Sequence, residues 1–200
     1  MMDVVLASNN SGKLTEMRAL LSEELFNLKT PAEFGLDAPE ETGKAFVENS
    51  IIKARYASFH TGLPAIADDS GLCVPALDFE PGVLSARYAG NSANDTDNVD
   101  RLLAKMKDLK GEERQGYFVC VMVYMQSASD ATPLIVQAKW YGEILLAPCG
   151  GRGFGYDPIF YVPEYDCSAA ELKEEVKNKV SHRAKAMLKL LTNFHEKNRP

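Results

Sequence analysis

Apolar positions along the chain fall into short runs and helical stripes that alternate. Val4-Val5-Leu6-Ala7 is a compact run that predicts a buried strand over 3–8. From Leu14 the period lengthens, and Leu14, Met17, Leu20, Leu21 and Leu25 fall on one helical face. Between them lies Ser8-Asn9-Asn10-Ser11-Gly12-Lys13, a polar turn rich in residues that cap helices. Pro31, Gly35, Pro39 and Gly43 break up residues 30–43, which read as an excursion. A second helix is predicted over 44–59, with Phe46, Val47, Ile51, Ala54 and Ala57 apolar. Pro64-Ala65-Ile66-Ala67 reads as a short strand that ends at Asp68-Asp69-Ser70-Gly71, and a third helix is predicted over 97–108. The stretches 117–125 and 134–146 read as strands, and the turn-forming link 127–133 predicts an antiparallel hairpin. A glycine-rich segment at 149–157 leads into Pro158-Ile159-Phe160-Tyr161-Val162, and two more helices are expected near 169–177 and 181–195. Strands interleaved with helices predict an α/β fold with a mixed sheet, a single domain over 1–200 with two closely packed lobes.

At 200 residues the chain is long enough to bury a core without disulfide or metal staples. Its 46% hydrophobic and 25% charged residues exclude a disordered tail, a collagen-like fibre and a coiled coil. The apolar run 117–125 falls far short of the ~18–20 residues of a membrane span, so no membrane partner is expected. Ser8-Asn9-Asn10 interrupts the first apolar stretch too early for a signal peptide, which predicts a cytoplasmic protein. A net charge of −6 argues against a duplex-binding face, and no nucleic-acid partner is expected. A few converging cations, or a metal ion, could still seat a small polyanion. Cys73, Cys120, Cys149 and Cys167 form no Cys-x-x-Cys pair, and His60, His182 and His195 lack metal-ligand spacing. The cysteines read as reduced thiols, some of them in the core.

The turn from Ser8 to Lys13 joins a strand to a helix, where free backbone N–H groups and the positive helix end converge on one spot. Lys13 adds a formal charge to that phosphate seat. Ala7 and Leu14 stand where a Walker A loop needs a glycine and a hydroxyl, so taken alone the motif reads better as a capped helix start with a solvated lysine. Asp68 and Asp69 set two carboxylates at a strand end, where open α/β folds place ligands. They read either as a magnesium ligand or general base, or as a polar turn. Glu41 precedes the second helix, on which Asn49 and Lys53 share a face. A metal carboxylate with a phosphate lysine is one reading, and a capping region with a solvated flank is the other. In the glycine-rich segment Tyr156 stands where the last glycine of a dinucleotide fingerprint belongs. Its glycines suit a backbone that approaches a flat ring while Phe154 and Tyr156 stack on it, and the other reading is a tight loop with two core aromatics. Ser181-His182-Arg183 sets two donors at a helix start, against the preference of the dipole, which reads either as a ligand contact or as simple surface exposure.

Together these residues resemble the pyrophosphatase family that hydrolyses inosine and xanthosine triphosphates and their deoxy forms. The resemblance rests on Ser8-x-Asn10-x-x-Lys13, Glu41-Thr42-Gly43-x-x-Phe46-x-Glu48-Asn49-x-x-x-Lys53-Ala54, and Ala67-Asp68-Asp69-Ser70-Gly71-Leu72. It continues in Pro81-Gly82 with Ser85-Ala86-Arg87-Tyr88, in Gly153-Phe154-Gly155-Tyr156-Asp157-Pro158-Ile159-Phe160, and in Ser181-His182-Arg183. These occur in the family's order and span nearly the whole chain. Cys73-Val74-Pro75-Ala76-Leu77 departs from the pattern by lacking an acidic residue.

The resemblance is to the bacterial-type enzymes. It implies an elongated mixed β-sheet flanked by helices, two lobes with a central cleft, and a homodimer. It implies that Ser8, Asn9, Asn10, Ser11, Gly12, Lys13 and Lys53 seat the triphosphate. Glu41 and Asp69 would hold Mg2+, with Asp69 also the proton acceptor and Asp68 beside them. Ser70, Phe154, Gly155, Tyr156, Asp157, Lys177, His182 and Arg183 would bind the nucleotide, with His182 and Arg183 near the base. The implied reaction is attack of water on the α-phosphorus of dITP, ITP, XTP or dXTP. It gives monophosphate and pyrophosphate and clears deaminated bases from the nucleotide pool. The burden is mostly charge, which a metal and lysines carry. No Ser or Cys stands out as an activated nucleophile, so no covalent intermediate is expected. Two other classes compete, a nucleotide-binding regulator without turnover and a phosphotransferase. Pyrophosphate release from ITP separates the first, and no acceptor site is identifiable for the second.

Overall fold

The computed structural model describes residues 2–21 and 25–197. Its strands are β1 (Met2–Leu6), β2 (Phe26–Lys29), β3 (Ala65–Cys73), β4 (Gln115–Met125), β5 (Leu134–Ile144), β6 (Phe160–Val162) and β7 (Cys167–Ser168). They form one mixed sheet in the order β2-β1-β3-β4-β5-β6-β7. Its helices are α1 (Ser11–Leu20), α2 (Phe46–Thr61), α3 (Asp95–Lys105), α4 (Glu174–Val180) and α5 (His182–Lys197). The expected α/β class, a mixed sheet flanked by helices, is what the chain adopts. The chain divides into two compact units. The first holds the described residues up to 69, residues 120–138 and those from 182 onward; the second holds 70–119 and 139–181.

In the first unit β1 lies between β2 and β3 and runs parallel to both, with Val4 opposite Leu28 and Leu6 opposite Ile66. Such strands are covered on both faces, which is why β1 reads as a continuous apolar run. The two-residue period sorts the side chains into two layers. Val4, Leu6, Ile66, Cys120 and Met122 pack against Met17 of α1 and against Ala186, Met187 and Leu190 of α5. Val5, Ala7, Ala65, Ala67 and Val123 pack against Ala54 and Ala57 of α2.

In the second unit β6 pairs antiparallel with β5 and with β7. Phe118, Trp140 and Phe160 form its aromatic centre, with ring centroids 4.6, 5.1 and 6.3 Å apart. Val99 and Leu102 bring α3 onto that centre, with Met106 just beyond its end. The buried Arg114 guanidinium donates to the carbonyls of Ile144 at 2.7 Å, Leu145 at 2.7 Å and Met106 at 2.9 Å, stitching the chain on either side of this core.

Several boundaries differ from the sequence expectation. α1 starts at Ser11 and stops before Leu21, so Leu25 is not on its face; Leu25 instead accepts a backbone bond from Met2 beside β2, a strand the sequence pattern did not reveal. α2 starts at Phe46, because the Glu48 carboxylate takes the amides of Lys44 at 2.6 Å and Ala45 at 3.0 Å and keeps both outside the helix. α3 starts at Asp95 behind the reciprocal cap of Asn94 and Asp97. The helix expected at 169–177 starts only at Glu174, since the Ala169 and Ala170 amides bond the carbonyls of Phe160 and Asp157. β3 does not end at Asp68-Asp69-Ser70-Gly71 but continues to Cys73. Gly71 is there for close approach, because a Cβ would lie 2.4 Å from Ser85 Oγ. The turn reading of that motif is thereby replaced by extended strand.

Candidate active site

β1 ends at Leu6 and α1 opens at Ser11, so the turn from Ser8 to Lys13 is where strand gives way to helix. Asn10 caps it, its side chain accepting from Lys13 N at 2.9 Å, while Asn10 N reaches Ser8 Oγ at 3.3 Å. Asn9, Asn10 and Ser11 are exposed, and Ser8 and Gly12 are half-buried. The Lys13 side chain is not the solvated lysine of the alternative reading. Its Nζ lies 3.1 Å from Asp68 Oδ2.

Asp68 and Asp69 are adjacent on β3 and find different partners. Asp68 meets Lys13 of α1, Arg183 Nη2 of α5 at 3.6 Å and the Cys120 thiol at 3.9 Å. Burial pushes its carboxyl up, but Lys13, Arg183 and Lys53 outweigh burial and hold it far below the ordinary carboxylate range. Asp69 meets α2, with Lys53 Nζ 3.1 Å from Oδ1 and Asn49 Nδ2 3.2 Å from Oδ2. Burial raises its pKa and the nearby Glu41 charge adds to that, with Lys53, Lys13 and Asn49 opposing and the net effect upward. Lys53 Nζ also lies 2.8 Å from Glu41 Oε1. Burial works against its charge, and Asp69, Asp68 and Glu41 more than restore it.

Asn49 is fully buried on the sheet side of α2, and it in turn accepts a hydrogen bond from Gly43 N at 2.8 Å. The shared face read from Asn49 and Lys53 thus exists, and it turns polar groups toward Asp69. The Arg183 side chain is 2% exposed and pairs with Glu16 as well as Asp68. His182 is buried at the opening of α5.

A metal can be tested against this donor set. Glu41 and Asp69 present hard carboxylate oxygens to one ammonium, so both reach the same point. Among the described residues no group of three or more His, Cys, Asp and Glu converges in a way that could hold a metal. The set suits Mg2+, which takes one or two carboxylates and completes its shell with water and substrate phosphate.

The remaining predicted residues belong to the second unit. Ser70 follows Asp69 on β3. Around Phe154 the backbone takes positive φ at Gly153 (76°) and Gly155 (61°). Phe154 N donates to Asp157 Oδ2 at 2.9 Å, and Lys177 Nζ donates to that oxygen at 2.6 Å. Lys177 Nζ also sits 5.2 Å from the centre of the Phe154 ring. Tyr156 corrects the expectation of two stacking rings. It is 3% exposed, its ring is part of the hydrophobic core and its hydroxyl donates to Ser85 O at 2.9 Å.

A model of the Ham1 family matches residues 4–193. The chain belongs to the Ham1 family. A dITP/XTP pyrophosphatase of Legionella pneumophila (strain Lens) is 51% identical over 190 residues, which cover 95% of this chain and 97% of that protein. A dITP/XTP pyrophosphatase of Vibrio cholerae serotype O1 is 50% identical over 196 residues, 98% of each chain. The structure of a HAM1 protein from Coxiella burnetii matches with a TM-score of 0.91 at 47% identity, covering 98% of this chain and 100% of that one.

In this Ham1 chain some residues of the network were not legible as candidates. Glu16 pairs with Arg183, and its only sequence signal is its position one turn after Lys13 on α1. Cys120 sits on Asp68 across the sheet, a juxtaposition that no local pattern encodes. Asn49 stood beside Lys53 in the pattern and only the structure shows it on Asp69.

Proposed function

We propose that this Ham1-family chain hydrolyses dITP, XTP, ITP and dXTP to the monophosphate and pyrophosphate by attack of water at the α-phosphorus. The observation that carries the reading is the paired charge on β3, Lys13 on Asp68 and Lys53 between Asp69 and Glu41. The likeness to dITP/XTP pyrophosphatases over nearly the whole chain supports it.

The two lysines and the N-terminal end of α1, with Ser8, Asn9, Asn10, Ser11 and Gly12, face the charge of the triphosphate. Asp69 accepts the proton of the attacking water, a task that suits a carboxyl whose pKa lies above the ordinary value. Asn49 and Lys53 fix its orientation, one on each oxygen. Glu41 and Asp69 would hold Mg2+, which would supply positive charge against the pyrophosphate leaving group. Lys13 and Arg183 keep Asp68 ionised beside this chemistry.

Ser70, Phe154, Gly155, Asp157 and Lys177 serve the nucleoside, with Phe154 as the stacking ring and Tyr156 anchoring its loop in the core. His182 and Arg183 are donors that suit O6 of hypoxanthine or xanthine and oppose the N6 amino group of adenine. Arg183 acts from within its ion pairs with Glu16 and Asp68. The protein is taken as a cytoplasmic homodimer with neither nucleic acid nor membrane as partner. No described helix is long and apolar enough to cross a membrane.

A panel of nucleoside triphosphates assayed for pyrophosphate tests the reading. ITP, dITP and XTP should turn over, ATP should lag by as much as about 10⁴-fold, and EDTA should stop the reaction. In ¹⁸O-water the label should enter the monophosphate. Label entering orthophosphate as the first product would mark a γ-phosphatase and overturn the proposal, and binding without any release would mark a regulator.

A further inference from the structure

The first residue of α3 reaches the glycine-rich loop through its side chain. Asp95 Oδ2 accepts a hydrogen bond from Gly155 N at 2.6 Å. One residue earlier, Phe154 N donates to Asp157 Oδ2 at 2.9 Å, the oxygen that also takes Lys177 Nζ. The two peptide groups that flank Phe154 therefore end on two different carboxylates. Peptide groups are planar, so fixing both fixes the backbone rotation on each side of the Phe154 Cα. That sets the direction in which the ring leaves the loop.

The restraint matters because of what surrounds the ring. Gly153 and Gly155 are the residues with the widest backbone freedom, and they stand on either side of Phe154. Without tethers the loop would present its aromatic in many directions. Asp95 is also free of the usual duty of a residue at a helix start. The cap of α3 is made by Asn94 and Asp97, each accepting from the other's amide at 3.0 and 2.9 Å. The helix behind it is firmly seated. Asn98 bonds Ala89 N at 2.7 Å and Ala86 O at 3.2 Å, and Val99 and Leu102 lie in the core. Asp95 is thus an exposed side chain on a fixed base, aimed at the one amide that Asp157 does not take.

We infer that Asp95 is a positioning residue for nucleobase recognition, holding the Phe154 ring in the orientation on which a purine stacks. The inference rests on the reading above that Phe154 meets the base. It assigns a role in substrate recognition to a residue outside every motif of the chain.

The test compares kcat, KM for ITP and Tm in Asp95→Ala, Asp95→Asn, Asp97→Ala, Phe154→Ala and the double variant Asp95→Ala/Phe154→Ala. Asp95→Ala should raise KM about fivefold to tenfold, the lower part of what one base–aromatic stack contributes, with kcat within about twofold. Asp95→Asn keeps an acceptor oxygen in place and should recover most of that loss. Asp97→Ala removes a first-turn carboxylate and half of the cap without touching the loop, so it should lower Tm and leave KM unchanged. The double variant should be no worse than Phe154→Ala alone, because both changes remove the same stack. An unchanged KM in Asp95→Ala beside a raised one in Phe154→Ala would overturn the inference while sparing the function. So would equal KM rises in Asp95→Ala and Asp97→Ala, or additive losses in the double variant. If Phe154→Ala itself leaves KM unchanged, the stacking reading fails and the role of Asp95 fails with it.

Discussion

One step along β3 carries the side chain from one face of the sheet to the other, and the partners waiting there give Asp68 and Asp69 opposite chemistry. Asp68 faces Lys13 and Arg183 and is held ionised; Asp69 faces Lys53 and Asn49 and is left a better proton acceptor than an ordinary carboxylate. Asp69→Asn should therefore lower turnover by about 10²–10⁴, the scale of a lost general base, with the circular dichroism of the fold unchanged. Turnover near that of the wild type would remove Asp69 from the mechanism. Asp68→Asn should instead cost stability near neutral pH, about 3 kcal/mol in urea unfolding, because Arg183 and Lys13 lose a carboxylate partner inside the protein. The pH dependence follows from the sign of the shift. A carboxyl whose folded pKa is depressed stabilises the fold above its unfolded value of about 3.9, and that contribution drains as pH falls below it. The stability gap between wild type and Asp68→Asn should be widest near neutral pH and narrow below about pH 4. A gap that stays constant across that range would assign the loss to packing instead of charge.

Among the elements, those set by local chemistry were legible in the sequence. The capping residues of Ser8-Asn9-Asn10-Ser11 marked where β1 passes into α1, and the spacing of Asn49 and Lys53 marked one face of α2. Elements decided by distant partners were not. Asp68-Asp69-Ser70-Gly71 has the composition of a turn, yet it runs extended because Gly71 must admit Ser85 Oγ and Leu72 N must reach it. β2 is short and partly exposed, so its register with β1 has no strong periodic trace. The glycine-rich loop shows how strictly such a contact can bind one position. A Cβ on Gly153 would lie 2.0 Å from Asp157 Oδ2, at a φ of 76° that side chains rarely take. Gly153→Ala should break the Asp157 contact with Phe154 N, costing about 1–3 kcal/mol of local strain and raising KM for ITP. Thermal unfolding and steady-state kinetics read the two effects together. A Gly153→Ala variant with both values unchanged would mean that the loop relaxes without consequence.

At the scale of the whole molecule, the order of motifs along the chain pointed to the family that the Ham1 match over residues 4–193 establishes. The boundaries of the two units left no such trace, because β3, β4 and β5 each carry residues of both and no linker or shift in composition marks the change. The site network also places a chemical reporter inside the protein. Cys120 is fully buried on Asp68, and burial together with that neighbouring charge pushes its thiol far up. Cys149 is exposed. In the native protein iodoacetamide should label Cys149 readily and reach Cys120 only when the first unit opens. Mass spectrometry of the labelled chain would show this, and labelling of Cys120 at the rate of a free thiol would refute it. The labelling half-life of Cys120 is then a clock for opening. A nucleotide that binds only the closed form, added at a hundred times its Kd, should slow that clock about a hundredfold. Affinity for any candidate substrate becomes readable from one sulfur atom, without turnover.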